Sequence, residues 1–206
     1  MEAVITGDLI YSKKVNEAEW LPLLKNTLSL IGEGPGSWDI FRGDSFQFQV
    51  TDDKALWAAI LVRASIKRFP PLDARLAMGL GKITYEADSV AESNGEAFYY
   101  SGQKFDTLKK KNLVIKSPWP ELDDELNLYF DLLERIIGSW SANSAEIMFL
   151  SLTQPDVTQA DLAQMLKISQ GNVSERLKRA GYKEVMKVNE RYELLIKKYW
   201  PDGYTN

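Results

Sequence analysis

Phe46, Phe48 and Val50 alternate with Gln47 and Gln49, the two-residue period of a half-buried strand. Trp38 to Phe41 form a second extended run just before it, so Gly43-Asp44 predicts the tip of a two-residue hairpin. Glycine at the first central position suits the positive backbone angle of that turn and leaves the Asp44 carboxylate at the apex. Ala3 to Thr6 read as a short buried strand ending in Gly7-Asp8, followed by a helix from about Glu17 to Ile31 with Trp20, Leu24, Leu28 and Ile31 at helical spacing. A second helix carries Leu56, Ile60, Leu61 and Ala64 and stops at Pro70-Pro71. Ala74 to Ile83 predict a strand with Gly79 and Gly81 on one face, where a packed helix or a ligand must pass close. A helix from Gly95 to about Lys110, a short strand Leu113 to Ile115 and a long helix from about Glu121 to Ile137 complete this part.

The order up to residue 116 is β-α-β-β-α-β with one extra helix, the split βαβ or ferredoxin-like pattern of an α+β fold with an antiparallel sheet. Residues 1–116 then form one domain, 117–142 a connecting helix and linker, and 143–206 an all-α domain. In that topology the end of the first strand and the hairpin share one edge, so Asp8 and Asp44 meet. Two adjacent carboxylates resist joint ionisation unless a cation lies between them, which marks both as candidate metal ligands and catalytic residues.

Cysteine and histidine are absent. This excludes disulfides, thiolate or imidazole zinc sites, Ser-His-Asp triads and cysteine nucleophiles, and leaves oxygen ligands for Mg2+, Mn2+ or Ca2+. The chain of 206 residues, 45% hydrophobic, has room for one large or two small domains with a real core. No apolar stretch reaches membrane-spanning length and no basic, apolar leader precedes the first strand, so the expectation is a cytoplasmic protein with no membrane partner. The long helix carries Leu122, Leu126, Tyr129, Leu133 and Ile136 at alternating steps of four and three, which fits either a homodimer seam or packing within the chain.

Charge singles out the tail. From Lys167 to Lys198 there are nine Lys and Arg against four Glu, a local +5 in a chain of net charge -4. Thr158 to Leu166 read as a helix, Lys167-Ile168-Ser169 as a turn and Gln170 to Ala180 as a second helix, with Ala163 where the two approach and Ile168, Val173 and Leu177 at their junction. This resembles the helix-turn-helix of bacterial regulators and predicts DNA as a partner. Gln170, Asn172, Ser174, Glu175, Arg176 and Lys178 would face the major groove, with Ser169 and Arg179 on phosphates.

Gly7-Asp8-Leu9-Ile10 with Ser12-Lys13-Lys14, Gly43-Asp44-Ser45-Phe46-Gln47, Arg75 to Ile83, Gly95-Glu96-Ala97-Phe98 and Gly171-Asn172-Val173-Ser174 with Leu177-Lys178-Arg179-Ala180-Gly181 resemble the SatD family of small bacterial proteins over nearly the whole chain. More distantly, the first 116 residues resemble the palm domain of class III nucleotidyl cyclases and diguanylate cyclases. That likeness implies a nucleoside triphosphate or cyclic nucleotide held by Gly7, Leu9, Ser12, Lys13, Gly43 and Ser45, with Mg2+ or Mn2+ on Asp8 and Asp44. Lys14 and Lys104 are further cationic candidates. Ser45 stands where diguanylate cyclases carry an acid, so one ligand is missing, and binding survives such a loss more easily than turnover. The expectation is a DNA-binding regulator whose palm domain senses a nucleotide, ahead of an active nucleotidyl cyclase or nucleotidyltransferase, and of an adaptor in which both sites are relics.

Overall fold

The computed structural model describes residues 2–201 apart from 33, 35, 109 and 110. Its largest sheet contains β1 (Glu2–Ile10), β2 (Trp38–Phe41), β3 (Ser45–Thr51), β4 (Asp73–Gly81) and β7 (Leu113–Lys116) in the order β2-β3-β1-β4-β7. A ribbon of β5 (Ile83–Tyr85) and β6 (Asn94–Gly95) lies apart from it. The helices are α1 (Glu17–Ile31), α2 (Ala55–Ile66), α3 (Glu96–Thr107), α4 (Pro120–Ile137), α5 (Ala142–Thr153), α6 (Gln159–Leu166), α7 (Gln170–Arg179) and α8 (Tyr182–Tyr199). The fold is mixed α+β with a mixed sheet.

Neighbouring strands are antiparallel except at one place, where β7 runs parallel to β4. The expected antiparallel sheet is corrected there, because the crossover through α3 brings the chain back in the direction of β4. The first strand is also longer than its apolar core, extending through Gly7-Asp8 to Ile10. Gly7 does not end it. A Cβ at Gly7 would lie 2.6 Å from Leu76 and 2.7 Å from Phe46, so glycine is needed for packing.

The two faces of the sheet are covered differently. Phe46, Phe48, Leu76 and Met78 alternate toward α1 and α2, while Val4, Thr6, Ala77 and Gly79 lie toward α3. The second group includes the two glycines of β4. A Cβ at Gly79 would meet the Ala97 carbonyl at 2.0 Å, and one at Gly81 would meet the Ala97 nitrogen at 2.8 Å, so the close neighbour is the helix α3. Lys109 and Lys110, at the expected end of that helix, lie outside the described residues.

The tail is continuous with this core. One buried cluster runs from Ala3 and Ile5 through Leu122 and Leu126 to Val173, Tyr192 and Ile196. The long helix α4 packs on β7 and α8, burying Leu122, Leu126, Phe130 and Leu133, and leaves Leu128 and Leu132 exposed one turn apart. The segment expected as a linker is pinned as well, because the buried Trp140 donates its indole N–H to the Ala180 carbonyl at 2.8 Å. Among the described residues, no helix is long and apolar enough to cross a membrane.

Candidate functional sites at the hairpin edge and on helix α7

Strand register brings Asp8 and the hairpin together. Asp8 pairs with Ser45 across β1 and β3, and the Leu9 amide donates to the Asp44 carbonyl at 3.1 Å. Phe41 pairs with Ser45, so the connection has three residues, Arg42-Gly43-Asp44, and not the expected two. Arg42 and Gly43 both take positive φ, 55° and 88°. Nothing stands within 4 Å of a Cβ at Gly43, so conformation alone calls for glycine there.

The two carboxylates have separate partners. Asp8 also lies opposite Arg75 on β4, and the Arg75 Nε donates to its Oδ1 at 2.8 Å while Nη2 donates to its Oδ2. This is the two-pronged guanidinium–carboxylate geometry that gives the strongest ion pairs. The Asp8 hydrogen bonds raise the pKa of Arg75 against the opposing effect of burial, and the charge of Asp44 adds to the same field. Asp44 accepts from the Ser12 hydroxyl at 2.5 Å. Oxygen donors for a divalent ion are therefore scarce: both Asp8 oxygens and one Asp44 oxygen are engaged, and no group of three acids forms a metal-sized cluster among the described residues. As arranged, the edge does not fit a divalent metal.

Beside Asp44 a cavity of about 280 Å³ is lined by Ser12, Lys13, Arg42, Gly43 and Asp44, with Val15, Glu17 and Trp20 completing it. Trp20 is 2% exposed, and its indole nitrogen has no hydrogen-bond partner among the described residues. Three of the expected nucleotide-site residues, Ser12, Lys13 and Gly43, thus share one cleft with Asp44. Ser45 pairs with Asp8 across the strands and does not line it. Gly7 and Leu9 are packed beneath the edge and line no part of the cleft. Lys14 stacks its ammonium on the Tyr11 ring at 4.3 Å, and Lys104 belongs to α3 and lines no part of the cleft. Arg42, Trp20 and Arg75 were not evident from sequence. The signal for Arg75 was available only through strand register, which sets it directly across from Asp8.

The second site is built by a tight turn. Thr158 and Asp161 form a reciprocal capping box at the start of α6. Lys167 closes that helix in the left-handed region at φ 53°, a conformation in which glycine is common. The Ile168 amide then donates to the Ala163 carbonyl at 3.0 Å, and Ser169 caps α7 by accepting from the Asn172 amide at 3.2 Å. Val173 is fully buried and Ile168 and Leu177 pack against the core, so α7 is fixed by one face.

The outer surface of α7 carries a row at four-residue spacing, Gln170, Ser174 and Lys178, with Asn172 and Glu175 exposed beside it and Ser169 and Arg179 exposed at its two ends. Arg176 is separate from this row. Its Nη1 donates to Glu146 on α5 at 3.3 Å, its side chain is 18% exposed, and Arg68 after α2 stands 4.0 Å from the same carboxylate. A cavity of about 500 Å³ opens beside Ser174 and Lys178, with Gln159, Tyr182 and Lys183 along its wall. No family model matches the chain, and no curated protein matches it either.

Proposed function

We propose that the chain is a DNA-binding regulatory protein, acting in transcription regulation, that reads duplex DNA with α7 and carries a ferredoxin-like, palm-type portion able to take a nucleotide. The observation that carries the reading is the exposed surface of α7, where Gln170, Ser174 and Lys178 stand at four-residue spacing with Asn172 and Glu175 beside them, on a helix that follows a three-residue turn and is held by its buried face. A short helix held this way fits the major groove, whose base edges are read by amide, hydroxyl and basic side chains. Ser169 and Arg179 at the helix ends are placed for phosphate contacts, and the local excess of nine basic over four acidic residues favours a polyanion.

The order β2-β3-β1-β4 supports the ferredoxin-like reading of the first part, with β1 antiparallel to both neighbours. The cleft of Ser12, Lys13, Arg42 and Asp44 at its edge supports a polar ligand such as a nucleotide. A single α7 reads few bases, so the active species in this reading is a cytoplasmic homodimer on two half-sites. Selection of duplexes from random sequence at low salt tests it. Binding should weaken linearly in log–log form as salt rises, and Asn172→Ala should relax preference at one base position. Failure of any duplex to bind at low salt removes the regulator.

A catalytic reading, a nucleotidyl cyclase or nucleotidyltransferase dependent on Mg2+ or Mn2+, has in its favour that Asp8 and Asp44 lie at one edge. Against it stands the pairing of Asp8 with Arg75. Incubation with each nucleoside triphosphate and Mn2+ decides between them: equal absence of pyrophosphate release from the wild-type protein and Asp44→Ala excludes the enzyme.

A further inference from the structure

We infer that Arg75 is a built-in counter-ion of the hairpin edge, occupying the place a divalent cation would otherwise take, so that this edge works without metal. The inference concerns the same edge as the nucleotide reading but does not depend on a nucleotide being bound.

Three observations lead to it. Cross-strand register sets Asp8 and Arg75 directly opposite each other on the α3 face of the sheet, so their pairing follows from the fold and not from a chance rotamer. The guanidinium donates to both oxygens of Asp8, through Nε and Nη2, and leaves neither as an open ligand. Asp44 approaches the same edge from the turn and is held by Ser12 at 2.5 Å. Both carboxylates lie within the electrostatic reach of Arg75, so its positive charge serves both. A guanidinium supplies it permanently, because arginine does not lose its proton in proteins, whereas a metal ion supplies it only at sufficient concentration. The charge required by the pair is therefore part of the chain. Nη1 of Arg75 makes no hydrogen bond among the described residues, and the side chain is 37% exposed, so one donor still faces outward.

Mn2+ alone is the probe, titrated into the full chain and followed by the electron paramagnetic resonance signal of the free ion. Wild type should leave that signal unchanged. Arg75→Ala should free the Asp8 carboxylate beside Asp44 and bind Mn2+ with a Kd of about 10⁻³ M or tighter, the range of weak oxygen-donor sites, and adding Asp8→Asn should abolish that binding. Binding by wild type that is lost in Asp8→Asn overturns the inference, and so does an Arg75→Ala protein that is folded by circular dichroism yet binds no Mn2+. Should Arg75→Ala fail to fold, Arg75→Gln takes its place, since glutamine keeps a hydrogen-bond donor toward Asp8 while removing the charge. Absence of nucleotide binding leaves all these outcomes readable.

Discussion

The Tyr192 hydroxyl on α8 donates to the main-chain carbonyl of Asp52 at 2.7 Å, joining the last helix to the turn that opens α2 across 140 positions of sequence. Both residues are buried. Tyr192→Phe keeps the ring and loses the bond, so it should lower unfolding free energy by about 1 kcal/mol, the net value of an intramolecular hydrogen bond. Urea unfolding measures it. Because the core runs unbroken from β1 to α8, tryptophan fluorescence and far-ultraviolet circular dichroism should report one coincident transition. Two separated transitions would mean that the tail unfolds by itself.

Gly79 and Gly102 make opposite predictions for the same change. A Cβ at Gly79 runs into the α3 backbone, with the Ala97 carbonyl at 2.0 Å and the Ser101 nitrogen at 2.5 Å. Gly79→Ala should cost about 1–3 kcal/mol or more, as overpacked sites do. Gly102, inside α3, has nothing within 4 Å of the added atom. Gly102→Ala should therefore raise stability by about 0.5–1 kcal/mol through helix propensity. Thermal melts of the two variants provide the comparison.

Acid sensitivity should concentrate on Asp73. Burial disfavours its charged form, but hydrogen bonds and charge from Arg63, then Lys67, more than offset this and hold its pKa below the ordinary aspartate range. Arg63 is 1% exposed and bonds Asp73 at 2.9 and 2.8 Å, with Glu134 on its other side at 2.6 Å. A depressed carboxylate pKa contributes stability that is complete above the unfolded value, roughly 3.9, and is lost as pH falls through the lower folded value. Asp73→Asn should flatten that acid limb. It should also cost about 3–5 kcal/mol at neutral pH by breaking a buried ion pair. Denaturant titrations from pH 7 down to pH 3 give both quantities.

Arg176 and Lys178 should separate in their effects. Arg176 is engaged by Glu146, whereas Lys178 is exposed on the outer face of α7. Lys178→Ala should leave the melting temperature unchanged and, if α7 contacts DNA, reduce the magnitude of the salt slope by about 1. Arg176→Ala should lower the melting temperature and leave that slope unchanged. A slope change on Arg176→Ala would make it a direct phosphate contact.

Much of the fold was legible because its signals are local. Alternation at Phe46, Phe48 and Val50 and the periodicity of α1 and α4 identify these elements, and a glycine pair marks the approach that α3 makes. Gly7 was misleading. As a residue that commonly ends a strand it shortened β1, whereas its true constraint comes from Leu76 and Phe46, which are distant in sequence. The candidate site shows the same limit. Juxtaposition of Asp8 with the hairpin follows from strand order, but the partner of Asp8 depends on the register of β1 with β4, and a shift of one residue there would put Arg75 on the other face. The packing of α4 on β7 and α8 is hidden from the sequence for a related reason. A wide apolar stripe on α4 says that the helix is covered, not by what.

Trp140 at the junction and Gly181 at the α7–α8 corner, where an added Cβ would lie 2.6 Å from Ile136, seat the end of α7 against the end of α4. The bearing of α7 is therefore inherited from the central core rather than from any tether. Variants selected for a changed angle of α7 should accumulate among apolar residues of α2, α4 and α5, far from the surface whose direction they alter.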